Sequence, residues 1–171
     1  LVKGNFDKSV IEAYLTKSPG MFAWVVPENE ERARIGVATS SKTKDFLNEF
    51  LIFLESKDYR YCSGDDQSGV IPKYNPNVKS SLQNRVFLVG DSATQTKNTT
   101  AGGIVPGIIC ARILANCIKN NGNYQREWKK VLGKDLYYHY LIRKSLDAFS
   151  NQDHDNLLNI LKEKKSKKLI E

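Results

Sequence analysis

The sequence has little of what metal and thiol chemistry needs. Its 171 residues include only 3 cysteines and 2 histidines. Cys62, Cys110 and Cys117 form no C-x-x-C pair and stand at no metal-ligand spacing from His139 and His154, so neither a metal site nor a dithiol motif is expected. The cysteines read as reduced thiols. Cys110 and Cys117 fall on one face of a helix, where a buried cysteine behaves as a small hydrophobe. Both G-x-G-x-x-G and G-x-x-x-x-G-K-[ST] are missing, so the chain brings no pyrophosphate loop of its own. No apolar run approaches the roughly 20 residues that cross a bilayer, and no signal peptide is evident. A cytoplasmic location is the expectation.

What is present fits an ordinary α/β or α+β domain: 40% hydrophobic residues and a formal net charge of +7. The basic excess is uneven, because "KEKKSKK" from Lys162 to Lys168 supplies much of it. Such a run is either a solvated helix end or a peripheral contact with an anionic membrane surface. No nucleic-acid partner is expected. The first residue is Leu, and "LVKGNFDKS" reads like the inside of a chain, so a fragment is expected.

Along the chain, "MFAWVVP" (21–27) and "RARIGVATS" (32–40) alternate or run apolar around a polar "ENEE", which predicts a β-hairpin. Phe46, Leu47, Phe50, Leu51 and Leu54 then recur at helical spacing, with Thr43 as N-cap, and predict an amphipathic helix on that sheet. Turn residues crowd from Gly64 to Pro76, where a strand followed by a crossing segment is expected, with a domain boundary near Gly69 to Pro76. "RVFLVG" (85–90) reads as a short buried strand. Residues 102–118 are apolar nearly all round, which predicts a buried helix with Pro106 in its first turn. Two further helices follow, the second capped by Ser150 or Asn151.

The chemistry concentrates in "RVFLVGDSATQTKNTTAGGIVPGIICARIL" (85–114). A strand ending in Gly90-Asp91 sets a carboxylate at the edge where open α/β sheets bind ligands, ready to accept hydrogen bonds from hydroxyls. Gly102 and Gly103 lack Cβ atoms, so a flat ligand can approach the backbone, and the helix start favours negative charge. A flavin offers both hydroxyls and an anionic ring. Ordinary turn chemistry explains the same residues equally simply, and spacing alone leaves both readings open.

The motif "LVGDSATQTKNTTAGGIVPGIICARILA" resembles the second flavin-binding motif of the archaeal geranylgeranyl reductase family, flavoproteins of the p-hydroxybenzoate-hydroxylase-like fold. "PGMFAWVVPENEERARIGVA" resembles the family's P-x-x-[YF]-x-W-x-F-P stretch, and the similarity continues through "SGVIPKYNP" and the segment from Tyr124 onward. It implies an α/β (α+β) fold in three parts. Residues 1–70 would complete an antiparallel substrate-domain sheet, 71–120 would form the closing strand-helix unit of the FAD domain, and 121–171 would be helical. It further implies FAD as cofactor, held by Gly90, Asp91, Ala101, Gly102, Gly103 and Ile104, with Phe22, Trp24 and Pro27 lining the substrate cavity.

The implied activity is reduction of C=C bonds in geranylgeranyl chains of archaeal ether-lipid precursors, fed by an external donor such as NAD(P)H or ferredoxin. No catalytic residue is assigned. The chain departs from the family pattern at Phe22, Val26, Ser92, Asn98 and Ala101, where Tyr, Phe, Ala, Pro and Gly are usual. Two other classes of function fit the residues: a flavoprotein monooxygenase or dehydrogenase of the same fold with a smaller substrate, and a non-catalytic lipid-binding or interaction module.

Overall fold

Strand β3 (Phe22–Pro27) alternates half-buried and buried positions, the signature of a strand with one face on a core. It pairs antiparallel with β4 (Arg32–Ala38), in register from Phe22 opposite Ala38 to Pro27 opposite Ala33, which is the expected hairpin. Three short strands extend it: β1 (Val2–Lys3), β2 (Glu12–Tyr14) and β5 (Arg60–Tyr61), in the order β2-β3-β4-β1-β5. Strands of two and three residues carry no periodicity, so β1 and β2 had no signal in the sequence. This computed structural model describes residues 1–15, 22–62, 66–83 and 85–162. Gly64, Asp65 and the basic run beyond Lys162 therefore lie outside the described residues.

Helix α1 (Thr43–Glu55) lays Phe50 and Leu54 on the sheet. They join Val2, Phe6, Ala23, Val25 and Ala33 in one apolar cluster. Thr43 is the first helical residue and not the cap. The cap position is Lys42, in the left-handed region at φ 51°, with no side-chain hydrogen bond to the helix start. The chain reverses so sharply after β4 that backbone geometry, not a hydroxyl, begins this helix.

Two compact units result, Leu1–Gln67 with Leu146–Glu171 and Ser68–Ser145. In the second, the expected buried strand shrinks to β7 (Val86–Phe87), paired only with β6 (Ser81–Leu82). Val86 is 54% exposed, because a two-stranded ribbon has no further strand to bury it. Helix α2 (Ile104–Lys119) corrects a second expectation. Only Pro106, Cys110 and Cys117 are buried, at one-face spacing, whereas Ile104 and Ile118 are 80% and 62% exposed. Its packed side meets Tyr74, Tyr124, Trp128 and Leu136.

Helix α3 (Tyr124–Leu146) supplies Tyr124, Trp128 and Leu136 to that cluster. Helix α4 (Asn151–Lys162) opens on Ser150, whose Oγ accepts from Asp153 N while Asp153 Oδ2 accepts from Ser150 N, a reciprocal cap. Among the described residues, no helix is long and apolar enough to cross a membrane.

Candidate functional site

The loop from Val89 to Gly107 is shaped by close backbone approaches. Gly90 is in the left-handed region, φ 65°, which a residue with a Cβ enters at a cost. It opens a 3-10 turn, Gly90–Ala93. A Cβ on Gly107 would stand 3.4 Å from Gly90 Cα, so the first turn of α2 lies against the loop backbone. Gln95, fully buried, holds the turn from inside: its Oε1 accepts from Gly90 N at 2.7 Å and its Nε2 donates to Tyr124 Oη at 3.0 Å.

The two halves of the motif meet at one point. A Cβ built on Gly103 would stand only 2.6 Å from Asp91 Oδ1 and 3.0 Å from Thr96 Cγ2. The absent side chain at Gly103 is thus the space that Asp91 occupies. Asp91 is exposed, and its carboxylate has no hydrogen bond or ion pair among the described residues. Gly103 is the cap residue of α2 and supplies no side-chain bond, so the N–H groups of Ile104 and Val105 open the helix uncapped by a side chain. An acceptor for hydroxyls and a positive helix end therefore share one exposed corner, with Ile104 beside it.

Ala101 adopts φ 56°, the conformation that explains why glycine is usual there. The turn it closes is tied by Lys97 N to Gly102 O at 3.0 Å. Thr99 Oγ1 contacts His139 Nδ1 at 2.6 Å, and Lys97 pairs with Asp135 at 3.5 Å, so α3 braces the loop. Asn98, 4% exposed, accepts from Tyr74 N through Oδ1 and donates to Tyr74 O through Nδ2, clamping the crossing segment from both sides. The sequence showed this stretch only as polar. Burial of Gln95, Thr96 and Asn98 has no signal in composition.

The buried Cys110 and Tyr124 are not poised as nucleophiles. Burial pushes the Cys110 thiol up to about 11 and Tyr124 up to about 12, leaving both protonated at neutral pH. All three cysteines are free thiols, as expected. Glu12 is held below the usual carboxylate range. Burial raises it, but hydrogen bonds from Tyr14 and Tyr59, with Lys57 alongside, outweigh that. This group sits on the α1 side of the sheet and serves packing. Among the described residues no group of His, Cys, Asp and Glu could hold a metal ion.

On the opposite face of the sheet stand Phe22 and Trp24, ring centroids 5.7 Å apart. Trp24 lies over Gly36, where a Cβ would meet its Cζ2 at 2.2 Å. Strand alternation turns Pro27 to the other face, with Ala23 and Val25, so it is not brought together with the two aromatics. Val26 shares their face instead. These residues belong to the sheet unit, whereas Gly90, Asp91 and Ala101 to Ile104 belong to the other.

No protein-family model matches the chain. It is 27% identical to digeranylgeranylglycerophospholipid reductase 2 of Methanothermobacter thermautotrophicus, over 94% of this chain and 45% of that protein. It is 28% identical to digeranylgeranylglycerophospholipid reductase of Methanocaldococcus jannaschii, over 92% of this chain and 44% of the relative. A crystal structure of a geranylgeranyl bacteriochlorophyll reductase-like protein from Thermoplasma acidophilum superposes with a TM-score of 0.72 at 21% identity, over 94% of this chain and 45% of that one. The α/β fold class expected from the sequence is borne out. The chain thus resembles archaeal geranylgeranyl-lipid reductases along nearly its whole length, while spanning somewhat less than half of theirs.

Proposed function

We propose that this chain is part of an FAD-dependent reductase of geranylgeranyl chains in archaeal phospholipid precursors. The observation that carries the reading is the meeting of Asp91 with Gly103 at the uncapped start of α2. The residues fit a flavin: Asp91 would accept from ribityl hydroxyls, Gly103 leaves the room that Asp91 needs, and Gly102 would let the ring approach the backbone. The N–H groups of Ile104 and Val105 would favour negative charge on the ring, by about 0.3–1 kcal/mol. Bound there and reduced by the external donor, FAD would supply a hydride to the alkene, and a proton from solvent would complete its saturation. The chain's own part is to hold and orient: Gln95 and Gly107 fix the turn, and Phe22 and Trp24 would line the path of the isoprenoid chain.

In this reading residues 1–70 belong to the substrate domain, 71–120 to the FAD domain and 121–171 to the helical region. An external electron donor, NAD(P)H or ferredoxin, completes the reaction. Support comes from the names of the relatives and from the matching fold.

The test is made on the full-length protein that carries this sequence. Asp91→Ala should lose bound flavin, weakened by about 1–3 kcal/mol, with the circular dichroism unchanged. Unchanged flavin occupancy would reduce Asp91 to a turn residue. Incubation of the dithionite-reduced protein with digeranylgeranylglycerophospholipid should add hydrogen pairs detectable by mass spectrometry, and no gain in mass would refute the activity. Gly103→Val is the weaker test, because its side chain would strike Asp91 before any ligand.

A further inference from the structure

The same sheet face that carries Phe22 and Trp24 carries a row of unneutralised cations. Lys3 of β1 stands directly opposite Arg32 of β4 and, on its other side, opposite Arg60 of β5. Directly paired residues share a face, with Cβ atoms about 4.5–5.5 Å apart. Register fixes which face: Val2 pairs with Ala33 in the core beneath α1, so Lys3 and Arg32 point the other way. Val26 is opposite Arg34 and Trp24 opposite Gly36, which places the apolar strip and the cations on one surface.

Like charges directly opposed in a sheet are destabilising unless something neutralises them. Lys3, Arg32 and Arg60 are all exposed, and none has an ion-pair partner among the described residues. Arg34, the fourth cation of the sheet, is paired with Glu28 at 2.5 Å. The local arrangement thus neutralises one cation and leaves three in a line across adjacent strands. Along β4 the face passes from Arg32 to Ala38, roughly 20 Å at 3.4 Å per residue, and changes from cationic to apolar.

We propose that this face seats a single amphiphile, with a phosphate-bearing head on Lys3, Arg32 and Arg60 and its apolar chain along Val26, Trp24 and Phe22. Two arginines and a lysine in a line match the several oxygens of a phosphate, which each guanidinium can approach through two N–H groups. The apolar strip begins where the cations end. The proposal rests on the prenyl-lipid reading above and adds the position of the polar head.

Trp24 reports on the face, and Trp128→Phe removes the other indole. In that background the chain is titrated with a short-chain dialkyl glycerophosphate below its micelle concentration and with the matching phosphate-free dialkylglycerol. The glycerophosphate should shift Trp24 emission at the lower concentration, and added salt should weaken it. Lys3→Gln/Arg32→Gln/Arg60→Gln should weaken the glycerophosphate about tenfold and leave the neutral lipid unchanged. If the triple variant does not fold, Arg60→Gln at the sheet edge should still give a smaller loss confined to the charged probe.

Inorganic phosphate should compete weakly with the glycerophosphate, and competition as strong as the lipid's own binding would show a free-phosphate site and overturn the proposal. Equal binding of charged and neutral lipids, or no effect of the substitutions, would also overturn it. Binding only to vesicles of phosphatidylglycerol, never to the monomer, would make the face a bilayer contact and refute the single-lipid seat. If neither lipid moves Trp24, the prenyl-lipid reading itself falls. Loss of the charged preference alone removes only the head site.

Discussion

The two units of this protein are held together by different means. The sheet unit closes on an apolar cluster, from Val2 to Leu54, with its backbone polar groups satisfied by ladder bonds between strands. The loop unit carries a long stretch with almost no ladder, from Ser68 to Gly103. There side chains take over: Ser80, Gln95, Thr96 and Asn98 are buried and each bonds to a distant backbone or side-chain group. All of the buried polar residues named in the fold fall in this unit. Where a loop keeps an irregular backbone, buried polar side chains replace the missing regular bonds.

The largest expected effect comes from breaking the apolar side of that comparison. Phe50 is fully buried between α1 and the sheet, and Phe50→Ala should cost about 3–5 kcal/mol in a denaturant titration followed at Trp24. Trp128 reports the other unit. If its signal shifts equally, the two units unfold as one and the division is merely geometric.

Asn98→Ala tests the polar side and should cost less. It leaves the N–H and C=O of Tyr74 without their clamp, at about 1–3 kcal/mol. The loss should appear at Trp128, which contacts the same cluster as Tyr74, before it appears at Trp24. An unaltered midpoint would show that water replaces the clamp and that the buried polar residues are incidental.

The smallest effect is a gain. Ala101 is held at φ 56°, so Ala101→Gly should relieve strain and stabilise the loop unit by about 0.5–1 kcal/mol, read as a raised Trp128 midpoint. A lowered midpoint would mean that the unfolded-state freedom of glycine outweighs the relief.

Local pattern made much of the fold legible. The hairpin of β3 and β4 follows from alternation around "ENEE", and α1, α3 and α4 follow from spacing and from the Ser150 cap. The failures have a common cause. Apolarity indicates that a residue is fit for burial but not that a partner exists, so α2 and Val86 looked buried and are substantially exposed. Thr43 looked like a cap because it stands at the right place in sequence, yet the left-handed turn at Lys42 sets the helix start. Pro27 looked like a neighbour of Trp24 because the motif reads as a string, whereas a strand sends alternate residues to opposite faces.

What the sequence by itself determined is the set of parts: the Gly-Asp turn, the glycine pair before an apolar helix, the Trp-containing strand and the resemblance these carry. Their order along the chain and their local periods are short-range properties, and short-range physics is written in neighbouring residues. Only the tertiary structure decided that Asp91 fills the space beside Gly103, that Asn98 clamps Tyr74, and that Lys3, Arg32 and Arg60 form one row. Each of those pairs residues from segments far apart in sequence or from strands whose register has no local signal. Such contacts arise from chain reversal and packing, which spacing along the sequence does not specify.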